Sequence, residues 1–188
     1  LLMNIIYYIV FFFWYLLSLL PLPVLYVFSD LLYFPLYYCV RYRRRIVRKN
    51  LTESFPELSK EKIIHIEKQY YHFFCDYIIE TIKLFSISKK QLKRRMTFGG
   101  VKKIVKKMET EKKNFCFVYL GHYCNWEWIA SLPYWAPDDI LCGQIYHPLY
   151  NKAFDKLFLR LRNQFGGECI PMKETLRRII ELKRAKQK

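Results

Sequence analysis

Charge is nearly missing from the first forty residues of this 188-residue chain, where Asp30 is the single charged side chain. Acids are scarce throughout, with 16 Asp and Glu against 32 Lys and Arg. Six glycines are too few for a collagen repeat, and a hydrophobic share of 53% is too high for a disordered chain. The six cysteines, at 39, 75, 116, 124, 142 and 169, include no C-x-x-C pair, so they read as free thiols in a reducing compartment, not as a disulfide scaffold. No metal and no cofactor are expected: His72, Cys75 and Asp76 share one helix face, but a fourth ligand is lacking. No basic stretch precedes the apolar start and no small-residue cleavage site ends it, which argues against a cleaved signal peptide.

What is present is apolar first and basic afterwards. The run from Ile5 to Leu20 approaches the ~20 residues that a membrane-spanning helix needs. Pro21 and Pro23 break it, and apolar character resumes from Val24 to Val40. Two anchoring geometries follow, one tilted span or a helical hairpin bent at Pro21–Pro23 that lies in one leaflet, and the sequence leaves both open. Residues 1–40 therefore read as a membrane anchor and 41–188 as a separate domain. Six of the nine residues from Arg41 to Lys49 are basic. The positive-inside bias puts them, and everything after them, on the cytoplasmic side. Such a cluster is also attracted to anionic membrane lipids by about 1 kcal/mol per Lys or Arg.

Beyond this segment, Ser59 is a plausible helix cap with Glu61 in the first turn. Ile63, Ile66, Tyr70, Phe73 and Tyr77 recur at steps of three or four, predicting a helix to about Phe85. Asp76 and Glu80, four apart on it, are expected to pair with arginines. Residues 89–113 carry eleven basic side chains against two acids, in two short helices split by Gly99-Gly100. Short apolar runs then alternate with helix-like segments. Strands are expected at Phe115–Leu120, Ile140–Ile145 and Cys169–Pro171, and helices at Asn125–Trp135, Pro148–Phe165 and Glu174–Ala185. The fold class is thus α/β: an apolar membrane helix or hairpin, then a mostly parallel sheet with flanking helices.

In such a sheet, reactive groups sit at the carboxyl ends of strands. The run 115–120 delivers Gly121-His122-Tyr123-Cys124-Asn125-Trp126-Glu127 to that edge. His122 and Glu127 can meet if the His lies in the turn and the Glu in the first helical turn. Glu127 would then hold one imidazole nitrogen while the other takes a proton from a hydroxyl. A rival, Cys124 as nucleophile with His122, would need two residues to align across a turn. A second rival is a non-catalytic, membrane-tethered basic module that binds anionic lipid or nucleic acid. It accounts for the charge but not for the His and Glu, and the aromatics sit mainly in the apolar half and the helix stripe instead of being interleaved with the basic runs as base-stacking platforms would be, so no nucleic acid is expected.

Four ordered blocks resemble the lipid A biosynthesis acyltransferases of the lauroyl/myristoyl type, within the wider H-x4-D/E acyltransferases. They are the apolar amino end; Arg44–Leu51 with Ser54-Phe55-Pro56-Glu57; the box from Gly121 to Glu127; and Tyr146-His147-Pro148-Leu149-Tyr150-Asn151 leading to Phe154-Asp155, Arg162 and Phe165-Gly166. The resemblance implies His122 as general base and Glu127 as its partner, with Asn151, Asp155 and Arg162 shaping the cleft. His147 stands where the family is expected to carry Arg or Lys. The implied donor is an acyl carrier protein thioester and the implied acceptor a hydroxyl of a lipid A precursor, at the cytoplasmic face of a bacterial inner membrane. Family members run on past the last helix, so the resemblance implies a member truncated at its carboxyl end. Lys152, Lys156 and Arg160 form a basic ridge opposite Leu149, Ala153, Leu157 and Leu161, suited to an acidic carrier or a phosphorylated glycolipid.

Overall fold

The structure, a computed structural model, describes residues 2–187. Its chain divides into two compact units: one is Tyr15–Lys83, the other joins the segment through Trp14 to the segment from Leu84 onward.

Helix α1 (Leu2–Leu19) is an uncharged, largely apolar run that stops before Pro21. Pro23 then falls in the first turn of α2 (Leu22–Phe34), where its missing N–H costs nothing. Pro35 has no N–H to continue the α-ladder, and the chain widens into a π-helical turn, Pro35–Val40. Arg41, at φ 53°, closes it in the left-handed conformation and donates its N–H to the Leu36 carbonyl. Helix α3 (Arg44–Ser54) follows, then α4 (Lys60–Lys83). Ser59 caps α4, its Oγ accepting from the Lys62 N–H at 3.4 Å, as the sequence anticipates.

Within the Tyr15–Lys83 unit, α2 runs antiparallel along α4. Leu22, Leu25 and Ile79 form the apolar contact, with Leu17, Leu20 and Tyr26 against them. A ladder of polar pairs continues it. Tyr26 donates to Glu80 Oε1 at 2.7 Å, Ser29 to Asp76 Oδ1 at 2.6 Å and Tyr37 to Glu67 Oε1 at 2.9 Å, while the Tyr33 ring stacks on His72 at 3.7 Å. Where arginines are expected, Asp76 and Glu80 accept from hydroxyls of the nearly uncharged α2, against which their helix face lies. The arginines go to Glu67. Its carboxylate is fully buried and accepts from Arg48 Nε at 2.7 Å and NH2 at 2.8 Å, with Arg44 Nε 3.5 Å away. Bonding to Glu67 holds the Arg48 guanidinium above its ordinary value. At the other end of α4, the buried Lys83 ammonium donates to the carbonyls of Ser18 and Leu20 at 2.7 and 3.0 Å. These are carbonyls that the end of α1 leaves without helical partners. Burial lowers the Lys83 pKa.

The other unit gathers its core from Tyr7, Leu84, Phe85, Leu92, Trp128, Leu157, Leu161 and Phe165. Helix α5 (Lys89–Arg95) opens with a reciprocal capping box between Ser88 and Gln91, and α6 (Val101–Thr110) follows Gly99-Gly100. A 3₁₀ helix, Trp126–Tyr134, stands where an α-helix is expected, because Pro133 inside it breaks the α-ladder. Strand β1 (Gly143–Tyr146), α7 (Lys152–Asn163) and β2 (Glu168–Pro171) make a parallel β–α–β unit, with Gly143 opposite Glu168 and Tyr146 opposite Pro171. Gly166, at φ 88°, turns the chain out of α7, and a Cβ on Gly167 would stand 3.0 Å from the Cys142 carbonyl. A short 3₁₀ turn, Met172–Glu174, leads into α8 (Thr175–Arg184).

The fold is mostly helical, with an apolar amino-terminal helix and a small parallel sheet. The expected strand at Phe115–Leu120 is corrected: that run forms no ladder among the described residues and is exposed, with Tyr119 at 91%. A strand is held by its neighbour, and among the described residues β1 and β2 pair with each other alone. Helix α7 begins four residues later than expected, because Asn151 caps it.

Candidate active site

The centre of the candidate site is a carboxylate and a guanidinium. Glu127 lies in the first turn of the 3₁₀ helix and is buried, as are its neighbours Trp128 and Ala130. Arg162 reaches it from α7, donating from Nε to Oε2 at 2.9 Å and from NH2 to Oε1 at 2.8 Å. The bidentate geometry is the strong form of such a pair and fixes the orientation of both side chains. Leu157 and Leu161 are almost fully buried, which anchors α7 in the core and holds Arg162 at the edge of that anchored face.

His122 sits five residues earlier, on the exposed stretch that leads into the 3₁₀ helix. Its ring lies edge-on to Trp126, centroids 4.7 Å apart. The sequence expects Glu127 to hold the imidazole; the structure gives the Glu127 carboxylate to Arg162. Cys124, between them, is exposed and takes φ 50°, the left-handed turn that redirects the chain into the helix. Burial raises the thiols of Cys142 and Cys169, so neither is poised as a thiolate nucleophile.

Asn151 and Asp155 build the turn before α7. Asn151 Oδ1 accepts from the N–H groups of Ala153 and Phe154 at 3.0 and 3.3 Å, and Asp155 Oδ1 accepts from the Leu149 N–H at 2.7 Å. His147 Nδ1 lies 3.0 Å from the Pro148 carbonyl in the same turn. All three members of the basic ridge are exposed, and two of them also lie against aromatic rings of α1. Lys156 Nζ is 4.5 Å from the Tyr7 ring centroid, and Arg160 Cζ is 4.0 Å from that of Phe11. Arg160 also reaches the Tyr7 hydroxyl at 3.4 Å. The face opposite the ridge is core: Ala153, Leu157 and Leu161 are buried, while Leu149, outside the helix, is exposed.

A groove of about 330 Å³ is lined by residues that include Val105, Met108, Lys112, Lys113 and Asp139, and by none of the expected site residues. Among the described residues no cluster of three His, Cys, Asp or Glu side chains could hold a metal ion. Two features escaped the sequence reading: the Glu127–Arg162 pair and the Glu67 cluster. For the second a signal existed. Tyr26, Ser29, Tyr33 and Tyr37 make a polar stripe at helical spacing on an otherwise apolar helix, which implies polar partners.

Comparison with known families places the molecule among the acyltransferases. Residues 1–187 match the family model of the bacterial lipid A biosynthesis acyltransferases, and the chain belongs to that family. Its family is membrane-associated, and α2 with its π-helical extension, Leu22–Val40, is long and apolar enough to cross a bilayer. No curated protein and no solved structure matches the chain.

Proposed function

We propose that this chain transfers a fatty acyl group from an acyl carrier protein thioester to a hydroxyl of a lipid A precursor, at the cytoplasmic face of the inner membrane. Residues 1–40 anchor it there, and 41–188 carry the acyltransferase domain. His122 takes the proton of the acceptor hydroxyl, whose oxygen attacks the thioester carbonyl. The tetrahedral intermediate then expels the carrier's thiolate, which takes the proton back from the imidazolium. Glu127 supplies negative charge beside that imidazolium, and Arg162 holds the carboxylate in place.

One observation carries this reading: a buried carboxylate fixed by a guanidinium, five residues after an exposed histidine, in a chain of this family. The mechanism requires the exposed stretch 114–124 to bring His122 to Glu127 when donor and acceptor are bound; catalytic contacts commonly tighten only in the loaded enzyme. Asn151 and Asp155 shape the turn beside the cleft. Lys152, Lys156 and Arg160 supply positive charge for the precursor or the carrier.

The test is mass spectrometry of a lipid A precursor incubated with the full chain and an acyl carrier protein thioester. The precursor should gain the mass of one acyl chain, and a precursor with its hydroxyls blocked should gain none. Acylation of the blocked precursor, or equal use of free fatty acid, would overturn the reading.

A further inference from the structure

Leu22–Val40 passes the length and composition test for a membrane span, yet its partner inside the same unit does not let it be one. Three hydrogen bonds and one ring stack tie this segment to α4 from Tyr26 to Tyr37, and they join α4 from Glu80 back to Glu67. The two helices are therefore bound along nearly their whole common length, in opposite directions. If Leu22–Val40 crossed the bilayer, α4 would cross back with it. The Asp76 and Glu80 carboxylates would lie at hydrocarbon depth, where ionisable side chains are strongly disfavoured.

Charge at the two ends of the pair excludes the crossing on separate grounds. Arg41–Lys49, with six basic residues, follows one end; residues 89–113, with eleven basic residues and two acids, follow the other. A crossing pair would hold these blocks on opposite sides of the membrane. The positive-inside bias puts both on the same side.

The outward face of α2 suits neither water nor a span. Val24, Val27, Phe28, Leu31 and Phe34 are exposed, Leu31 by 65%, and the one charged residue of α2, the exposed Asp30, falls at the edge of that face by helical spacing, where it can reach the headgroups. At its end the exposed Val40, Tyr42 and Ile46 alternate with the exposed Arg41, Arg43 and Arg45, the mixture of apolar, aromatic and cationic groups that fits the headgroup boundary of an anionic leaflet.

We infer that α2 and its π-helical extension lie in the plane of the membrane, the Val24–Phe34 face sunk into one leaflet, with α4 as a polar backing on the aqueous side. The segment holds the chain to one surface and crosses nothing. This rests on the membrane association of the family and not on the assignment of His122.

The test uses the full chain in sealed membrane vesicles of both orientations, with exposed Cys39, Cys116 and Cys124 replaced by Ser. Arg45→Cys and Lys90→Cys are probed singly with a membrane-impermeant maleimide. Both should label in inverted vesicles and neither in right-side-out vesicles; labelling from opposite sides overturns the inference. Leu31→Trp fluorescence should be quenched by lipids brominated at mid-leaflet, and more weakly by lipids brominated at the bilayer centre. Absence of quenching, or strongest quenching at the centre, also overturns it. A chain that fails to sediment with vesicles at all would instead defeat the membrane association beneath it.

Discussion

Replacing Arg162 by Ala removes the guanidinium that, among the described residues, holds the Glu127 carboxylate. Glu127 is 5% exposed at its side chain and Arg162 21%, so the deletion strands a charge that water reaches poorly. Breaking a buried pair from one side costs about 3–5 kcal/mol, and the partial exposure of Arg162 puts the expected loss near the lower end, about 3 kcal/mol. Against a net stability of ~5–15 kcal/mol that is a large fraction. Removing both charges, with Glu127→Leu and Arg162→Met, should recover most of the loss, because no orphaned charge remains. The assay is urea unfolding in detergent micelles, followed by far-ultraviolet circular dichroism, for wild type, each single variant and the double variant. A coupling of about 2 kcal/mol or more is expected between two residues in direct contact. Strict additivity, or a cost below about 1 kcal/mol for Arg162→Ala, would refute the reasoning. Arg162→Lys should rescue only in part, since an ammonium cannot reproduce two parallel N–H bonds.

Arg48→Ala should cost about 3 kcal/mol in the same assay, because Arg44, 3.5 Å from the fully buried Glu67, compensates only partly. Burial pushes the Tyr71 phenol from 10.0 up to about 12, so the folded chain keeps a proton that the unfolded chain loses in that window. Stability should then fall by up to about 2–3 kcal/mol as pH rises from 10 to 12, and Tyr71→Phe should flatten that limb of the pH profile. At Cys124, held at φ 50°, Val should cost about 1–2 kcal/mol while Gly stays within about 0.5 kcal/mol of wild type, as thermal unfolding would measure.

Helix positions were legible where the spacing of apolar residues and the caps agreed. Ser59 and the Ile63–Tyr77 stripe mark α4, and Gly99-Gly100 separates α5 from α6. Two of the three expected strands form, each beside the other. Phe115–Leu120 reads as a strand by composition, but pairing is a property of neighbours that composition does not contain. The partners of charged residues were the least legible. Arg44 and Arg48 belong to a run that reads as a membrane-facing cluster, yet both turn to Glu67, whose burial only the fold decides. Similarly, its place after His122 marks Glu127 as a candidate in the sequence, whereas its bond to Arg162, 35 residues on, depends on how α7 docks.

Single-turnover acyl transfer from carrier-protein thioester to lipid A precursor, compared between the full chain, His122→Ala and Cys124→Ala, bears most directly on the proposed chemistry. Loss of the general base should lower the rate of the His122→Ala variant by about 10²–10⁴-fold, with Cys124→Ala retaining most activity. Transfer by His122→Ala at the wild-type rate, or abolition by Cys124→Ala alone, would contradict the account.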